Sequence, residues 1–110
     1  MTTLPRDTDN VPIPALRLKP SGAHKIDATT TSAKNTTAFE DDTQIVSVYA
    51  TGAVYVNFGQ SDVSATPTDH YFPNGLYYDI AVGGDKTLHT PYLAVISAGS
   101  DCTVYISEKQ

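Results

Sequence analysis

The residues that could carry chemistry are few and scattered along the chain. Glu40, Asp41 and Asp42 form the densest acidic cluster, and Asp69 with His70 is the best adjacent pair for a metal ion. The acidic cluster lacks the alternate spacing and the glycine of a calcium-binding EF-hand loop. Three adjacent acids before a strand are typical of a solvated corner, and His70 is expected at a rim or an interface. We therefore predict no metal site.

The sequence also offers little for nucleophilic catalysis or phosphate binding. It contains no Gly-x-Ser-x-Gly segment, which would mark an activated serine on a strand-to-helix turn. Cys102 follows Asp101, whose charge is expected to raise rather than lower the thiol pKa. Residues 83–86 are glycine-rich but lack the spacing and the following helix of a Walker loop, and His24 and His89 have no supporting context. We predict a non-enzymatic chain without a catalytic residue or cofactor.

Short strands would have to position any site in this chain. Residues 45–50, 53–58 and 76–82 alternate or cluster β-branched and aromatic side chains, and Gly, Pro and Asn-Gly separate them. Residues 69–72 predict another short strand. Two hairpins are expected, one joining 44–51 to 53–58 and one joining 91–97 to 102–107.

The N-terminal third has a different composition. Residues 1–14 contain three prolines, which favour extended backbone. Apolar and basic side chains alternate over residues 15–19, which predicts a strand that ends at Pro20-Ser21-Gly22. Residues 23–27 predict a second, weaker strand. Residues 29–37 predict a loop or an exposed edge strand. We expect an extended arm over residues 1–22 and a β-sandwich domain over residues 23–110. The predicted class is all-β: an antiparallel, jelly-roll-like sandwich of about eight strands.

The charge distribution bears on possible partners. The net charge of −5 provides no basic stripe for nucleic acid. Residues 1–38 carry five basic and three acidic side chains, whereas residues 39–110 carry two basic and nine acidic ones. A basic arm beside an acidic body suits an arm that lies on an acidic neighbour, such as a second copy of the body. No apolar run of the ~20 residues of a membrane span and no signal peptide is seen, so we expect synthesis in the cytoplasm without membrane insertion.

Seven tyrosines are concentrated in the predicted strands. Tyr55 and Tyr77 alternate with inward-facing aliphatic residues and are therefore expected to face outward. Exposed tyrosines favour protein interfaces or stacking on sugar rings. Because sugar sites commonly also use Trp, and this chain has none, the protein interface is preferred.

One stretch resembles a known class of proteins. Residues 50–59 read Ala-Thr-Gly-Ala-Val-Tyr-Val-Asn-Phe-Gly, Ala65-Thr66 follows in the next loop, and residues 68–73 read Thr-Asp-His-Tyr-Phe-Pro. These phrases resemble small virion proteins of tailed bacteriophages over about residues 44–107. The resemblance implies a β-sandwich decoration, cement or head–tail protein, and it supplies no catalytic residues.

Together these features predict a virion structural protein that decorates or cements a capsid. The expected partners are the major capsid protein or another virion protein and sister copies, with a trimer favoured. A carbohydrate- or receptor-binding module of a tail fibre and a head–tail connector remain alternatives. The predicted interface residues are Leu4, Arg6, Ile13, Leu16, Arg17, Leu18, Lys19, Tyr55 and Tyr77, with Lys25 as a further basic contact.

Overall fold

The computed structural model describes residues 17–84 and 88–109, and these residues form eight strands without a helix. The strands are β1 (Leu18–Ala28), β2 (Ala33–Lys34), β3 (Ile45–Ala50), β4 (Val54–Gly59), β5 (His70–Phe72), β6 (Tyr77–Ala81), β7 (Tyr92–Ser97) and β8 (Cys102–Lys109). No helix in the described ranges could span a membrane.

The eight strands build two four-stranded antiparallel sheets. The first sheet has the order β1-β8-β3-β6, and the second has the order β2-β7-β4-β5. The two sheets pack face to face as a sandwich of the jelly-roll kind. The predicted all-β class and strand number are confirmed.

The core lies between the sheets and follows from the alternation of each strand. In β3, Val46, Val48 and Ala50 are buried, and in β4 the same holds for Val54 and Val56. Successive side chains on a strand point to opposite faces, so every second residue enters the core. Further large buried side chains come from both sheets, from the loop before β3 and from the residue that follows β6: Phe39, Leu93, Ile106, Val82, Val95 and Val104.

Both predicted hairpins are wrong. β3 pairs with β6 and β8, whereas β4 pairs with β5 and β7, so the short turn at 51–53 crosses from one sheet to the other. The connection at 98–101 likewise crosses between β7 and β8. In a hairpin both strands would share one sheet, whereas here their apolar faces meet across the core. Two backbone hydrogen bonds link the connection at 51–53 to the connection at 98–101 and the residues beside it. Thr51 N–H donates to Thr103 O and Ala98 N–H donates to Ala53 O, both at 2.9 Å.

Gly52 permits the first of these crossings. A Cβ atom at this position would lie 2.8 Å from Cβ and 3.1 Å from Sγ of Cys102. Real Cβ contacts are almost never that short, so any larger residue would push the two crossings apart. The glycine is thus required by close approach of two chain segments.

The N-terminal region differs from the prediction at its boundary. Residues 18–28 form one strand instead of two, with an irregularity in its pairing to β8 between Leu18 and Ala23. Ser21 lies within this bulge at φ 61°, a left-handed conformation that non-glycine residues rarely adopt. The last part of the predicted arm therefore belongs to the first sheet. The 29–37 segment contributes β2 at the edge of the second sheet, in line with the edge-strand alternative.

Candidate functional site

A row of tyrosines crosses the outer face of the first sheet. Tyr105 on β8 is opposite Tyr49 on β3, which in turn is opposite Tyr77 on the edge strand β6. The rings of Tyr49 and Tyr77 lie 4.9 Å apart between centroids. Tyr77 is 76% exposed and Tyr105 is 47% exposed. Lys25 on β1 is opposite Tyr105 and completes the row across all four strands. We call Lys25, Tyr105, Tyr49 and Tyr77 the tyrosine row.

Tyr55 lies on the other sheet. It is opposite Tyr71 on β5, and the two rings are 5.6 Å apart. The outer faces of the two sheets of a sandwich point in opposite directions, so Tyr55 and Tyr77 cannot contribute to one flat surface. The sequence predicted that both would face outward but could not separate them.

The other predicted interface residues lie near or before the start of β1. Leu4, Arg6, Ile13 and Leu16 fall outside the described residues. Arg17 is exposed. Leu18 is 68% exposed and is opposite Lys109 in β8, on the same sheet as the tyrosine row. The interface role of these residues stays a prediction.

Lys19 is engaged within the chain. Its side chain is only 8% exposed, and its ammonium contacts the carboxylate of Asp42, lies 3.4 Å from Oε2 of Glu40 and donates to Thr43 Oγ1 at 3.1 Å. Burial lowers the pKa of Lys19, but the bonds to the two carboxylates outweigh it, so that pKa is raised. The bond from Lys19 in turn holds the pKa of Asp42 below its ordinary value. An ion pair between Lys19 and a carboxylate of a neighbouring subunit would have to compete with these contacts inside the chain.

A buried carboxylate lies beside this cluster. Glu108 is 2% exposed. Its Oε1 accepts from the backbone N–H of Glu40 at 2.9 Å and from the hydroxyl of Thr43, and its Oε2 lies 2.7 Å from Nε2 of His24. The His24 ring also packs edge-on against Phe39, with centroids 5.1 Å apart. Both carboxylate oxygens are therefore satisfied in the interior.

The bonds to Glu108 control its ionisation. Burial raises the pKa of a carboxyl group, but here the hydrogen bonds from Thr43, His24 and the Glu40 backbone outweigh burial and hold the Glu108 pKa below its ordinary value. Gly22 lets β1 approach β8 closely enough for His24 to reach Glu108, because a Cβ at position 22 would lie 2.9 Å from the Glu108 Cβ. The carboxylate is consequently charged at neutral pH.

The sequence carries a signal for this cluster that the predicted site residues do not include. In β8, Glu108 has the same parity as the buried Val104 and Ile106, and in β1 His24 has the parity of the buried Ile26. A charged residue on the inward face of a strand must find a partner, because burial of an unpaired charge is very costly. The identity of that partner was not readable, since 84 positions separate the two residues.

The remaining candidates are spread over the fold. Within the described ranges no group of three potential ligands is close enough to hold a metal ion. Asp69 accepts from Thr66 N–H at 2.7 Å and so closes its own turn, while His89 Nε2 bonds the Thr43 carbonyl oxygen at 2.8 Å. Burial, with a smaller contribution from Asp101, raises the pKa of Cys102. The direction predicted for the Cys102 pKa is confirmed, although burial is the larger cause.

Comparison with known proteins gave no match: no family model, no curated protein and no solved structure matches the chain.

Proposed function

We propose that this chain is a non-enzymatic structural protein of a phage virion that decorates or cements the capsid. The observation that supports it best is the tyrosine row, whose aromatic side chains cross three of the four strands of one sheet and leave Tyr77 76% exposed. Tyrosine supplies a large contact area at a small cost in side-chain entropy, and its hydroxyl can bond at the rim of an interface. Aromatic residues are enriched in protein interfaces for these reasons.

The start of β1, which follows the predicted arm in the chain, lies on the same sheet. The described chain starts at Arg17, directly before β1, and β1 is the edge strand of the sheet that carries the tyrosine row. Two linked contacts with one neighbour, one through the segment before β1 and one through the face of this sheet, bind more tightly than either alone. We therefore assign the tyrosine row and residues 1–18 to a single interface, with capsid and sister subunits as the partners.

The composition of purified particles tests the virion assignment. Particles of a phage that encodes the chain are separated on a density gradient, and the chain is quantified against the major capsid protein by mass spectrometry. A decoration protein is expected at a copy number comparable with the capsid protein, whereas a connector would be present as one ring per particle. Absence of the chain from purified particles would refute both the decoration role and the connector role.

The oligomeric state tests the surface. Light scattering of the purified chain should give a particle of three times 11.8 kDa. Tyr77→Ser should reduce that mass without unfolding the chain, as circular dichroism checks. Tyr71→Ser is the matched control, because Tyr71 is 56% exposed on the opposite sheet. A loss of mass in both variants, or in neither, would contradict the assignment of the row.

The pair Tyr55–Tyr71 favours carbohydrate binding as the second candidate. The two rings meet at 59° on the outer face of the second sheet, and the exposed His70 is adjacent. Asp69, which precedes His70, is engaged in its own turn. This function predicts saturable binding on a glycan array that Tyr71→Ser abolishes and Tyr77→Ser preserves; an array without signal would exclude it.

A further inference from the structure

Among the described residues the sandwich has four edge strands, and three of them are protected against pairing with another chain. β1 carries a bulge, Pro20 and two lysines, β2 has two residues, and β5 has three residues and is followed directly by Pro73. Bulges, prolines, lysines and short length are the features that keep edge strands from pairing further. β6 has none of them, because its five residues pair with β3 in five consecutive steps without a shift.

Every second residue of β6 turns its backbone N–H and C=O groups away from the sheet. Val82 N–H donates to Gln44 O at 2.8 Å, and in an antiparallel pair every second residue bonds to the same neighbouring strand. Ile80 and Tyr78 therefore bond to β3, whereas the backbone groups of the alternate residues face the open edge. These edge residues are Tyr77, Asp79 and Ala81, and no described strand lies beyond them.

The side chains of β6 and its surroundings show what an added strand would contact. Leu76 and Tyr77 are 53% and 76% exposed at the start of the strand. On the face toward the second sheet, the half-buried ring of Tyr78 lies 4.6 Å from the ring of Phe72, and the half-buried Ile80 packs against the core. Directly opposite residues of paired strands share one face, so an added strand would place alternate side chains beside Tyr78 and Ile80. Apolar side chains at those positions would extend the core past its present edge.

Charge disfavours a second copy of β6 as that strand. Asp79 is the charged residue of β6, and its side chain is 59% exposed although it pairs with Lys109. A second β6 in the two-fold register that bonds all three edge residues would place one Asp79 directly opposite the other, and like charges at such positions are destabilising. Residues 39–110 already carry nine acidic and two basic side chains. A strand with a basic side chain opposite Asp79 meets no such repulsion.

Residues 1–16 of a sister copy fit this edge no better. A proline lacks the N–H that an added strand must donate, and the prolines at positions 5, 12 and 14 leave residues 6–11 as the longest stretch without one. That stretch contains Asp7 and Asp9 against a single basic residue, Arg6, and its apolar side chain is Val11. The strand that completes the edge is therefore expected from a different protein.

We propose that the open edge of β6 binds an extended segment of a different protein, which adds to the first sheet as a fifth strand. That segment carries a lysine or arginine opposite Asp79 and apolar side chains opposite Tyr78 and Ile80. The inference rests on the proposed function, under which the donor of the segment is the capsid protein or another virion protein, and it places this partner beside the tyrosine row. In strand addition the main-chain hydrogen bonds supply affinity, and the alternate side chains supply specificity.

Amide hydrogen exchange of the full chain, purified and bound to phage particles, tests the proposal. Nuclear magnetic resonance of the purified chain should show rapid exchange at the three edge amides and slower exchange at Tyr78 and Ile80, whose N–H groups bond to β3. On particles, mass spectrometry should show fewer exchanged amides in the fragment 76–82. Slow exchange of the edge amides in the purified chain would assign the edge to a second copy, and unchanged exchange on particles would leave it unoccupied. Either result would overturn the proposal.

Ala81→Pro tests the backbone contact directly. Ala81 is exposed and its N–H faces the open edge, so proline removes a donor that the fold itself does not use. The variant should keep the circular dichroism spectrum of the wild type. Its binding to particles of a phage that lacks the gene for the chain should be about tenfold weaker. The matched control is Ala81→Ser, which keeps the N–H and should bind like the wild type.

Asp79→Lys tests the charge of the partner segment. It should also weaken binding to these particles, because two basic side chains would then be opposite each other, and it remains informative if Ala81→Pro fails to fold. Wild-type binding by both variants would overturn the strand addition while the virion assignment stands. Absence of the chain from purified particles would instead refute the virion assignment and, with it, this partner.

Discussion

Replacement of Glu108 provides the sharpest test of the buried cluster. In Glu108→Ala the Glu40 N–H, the Thr43 hydroxyl and the His24 Nε2 lose the carboxylate that they share. The loss takes place in the interior, because Glu108 is only 2% exposed. Each buried donor without a partner costs about 1–3 kcal/mol, and three donors lose their acceptor here. We expect Glu108→Ala to lower the free energy of unfolding by about 4 kcal/mol.

Glu108→Gln isolates the role of the charge. The amide keeps the shape and one oxygen for Glu40 and Thr43, but it turns an NH₂ group toward His24. An ionised carboxylate only accepts hydrogen bonds, so His24 carries its proton on Nε2 in the native protein, and in the variant that nitrogen must become an acceptor. We expect a loss of about 2 kcal/mol and a change of His24 tautomer, visible in the nitrogen chemical shifts of the ring.

Urea unfolding measures both variants. With a slope of about 2 kcal/mol per molar urea, Glu108→Gln should move the midpoint by about 1 M and Glu108→Ala by about 2 M. Asp79→Asn is the matched control, because Asp79 pairs with Lys109 at 2.9 Å but is 59% exposed; it should cost less than about 0.5 kcal/mol. Equal effects of Glu108→Gln, Glu108→Ala and Asp79→Asn would refute the cluster as a source of stability.

The same carboxylate predicts the response to acid. The Glu108 pKa is lower in the folded chain than the ordinary value of about 4.5, so its contribution to stability is fully present above that value and is lost as pH falls through the folded pKa. Wild-type stability should thus decline below about pH 4.5, and Glu108→Gln should decline less. Parallel declines would show that other carboxylates cause the acid sensitivity.

Two further perturbations test other parts of the fold. Gly52→Ala should destabilise the chain by about 1–3 kcal/mol because its Cβ would lie 2.8 Å from that of Cys102, whereas Gly99→Ala, with no atom within 4 Å, should be nearly neutral in the same urea assay. The pKa of Lys19 is raised on folding, so the stability that its charge contributes is present below about pH 10.5 and is lost as pH rises through the folded pKa. Lys19→Met should therefore flatten the decline of the melting temperature at alkaline pH. An unchanged decline would count against the Lys19–Asp42 contact.

Local pattern was enough to locate most strands and their faces. The alternation in β4 predicted that the aliphatic neighbours of Tyr55 face inward, and Val54 and Val56 are buried. This works because the two-residue period of a strand is a property of adjacent residues and needs no knowledge of the partner strand.

The tertiary structure decided which strands are partners and which polar groups meet. A turn as short as 51–53 reads equally as a hairpin or as a crossing between sheets, and only burial of both apolar faces against each other selects the crossing. His24 and Glu108 meet because β1 and β8 are neighbours at opposite ends of the chain, 84 positions apart. The residue pattern within a strand thus specifies its faces, whereas the packing of the two sheets against each other determines the contacts between distant strands.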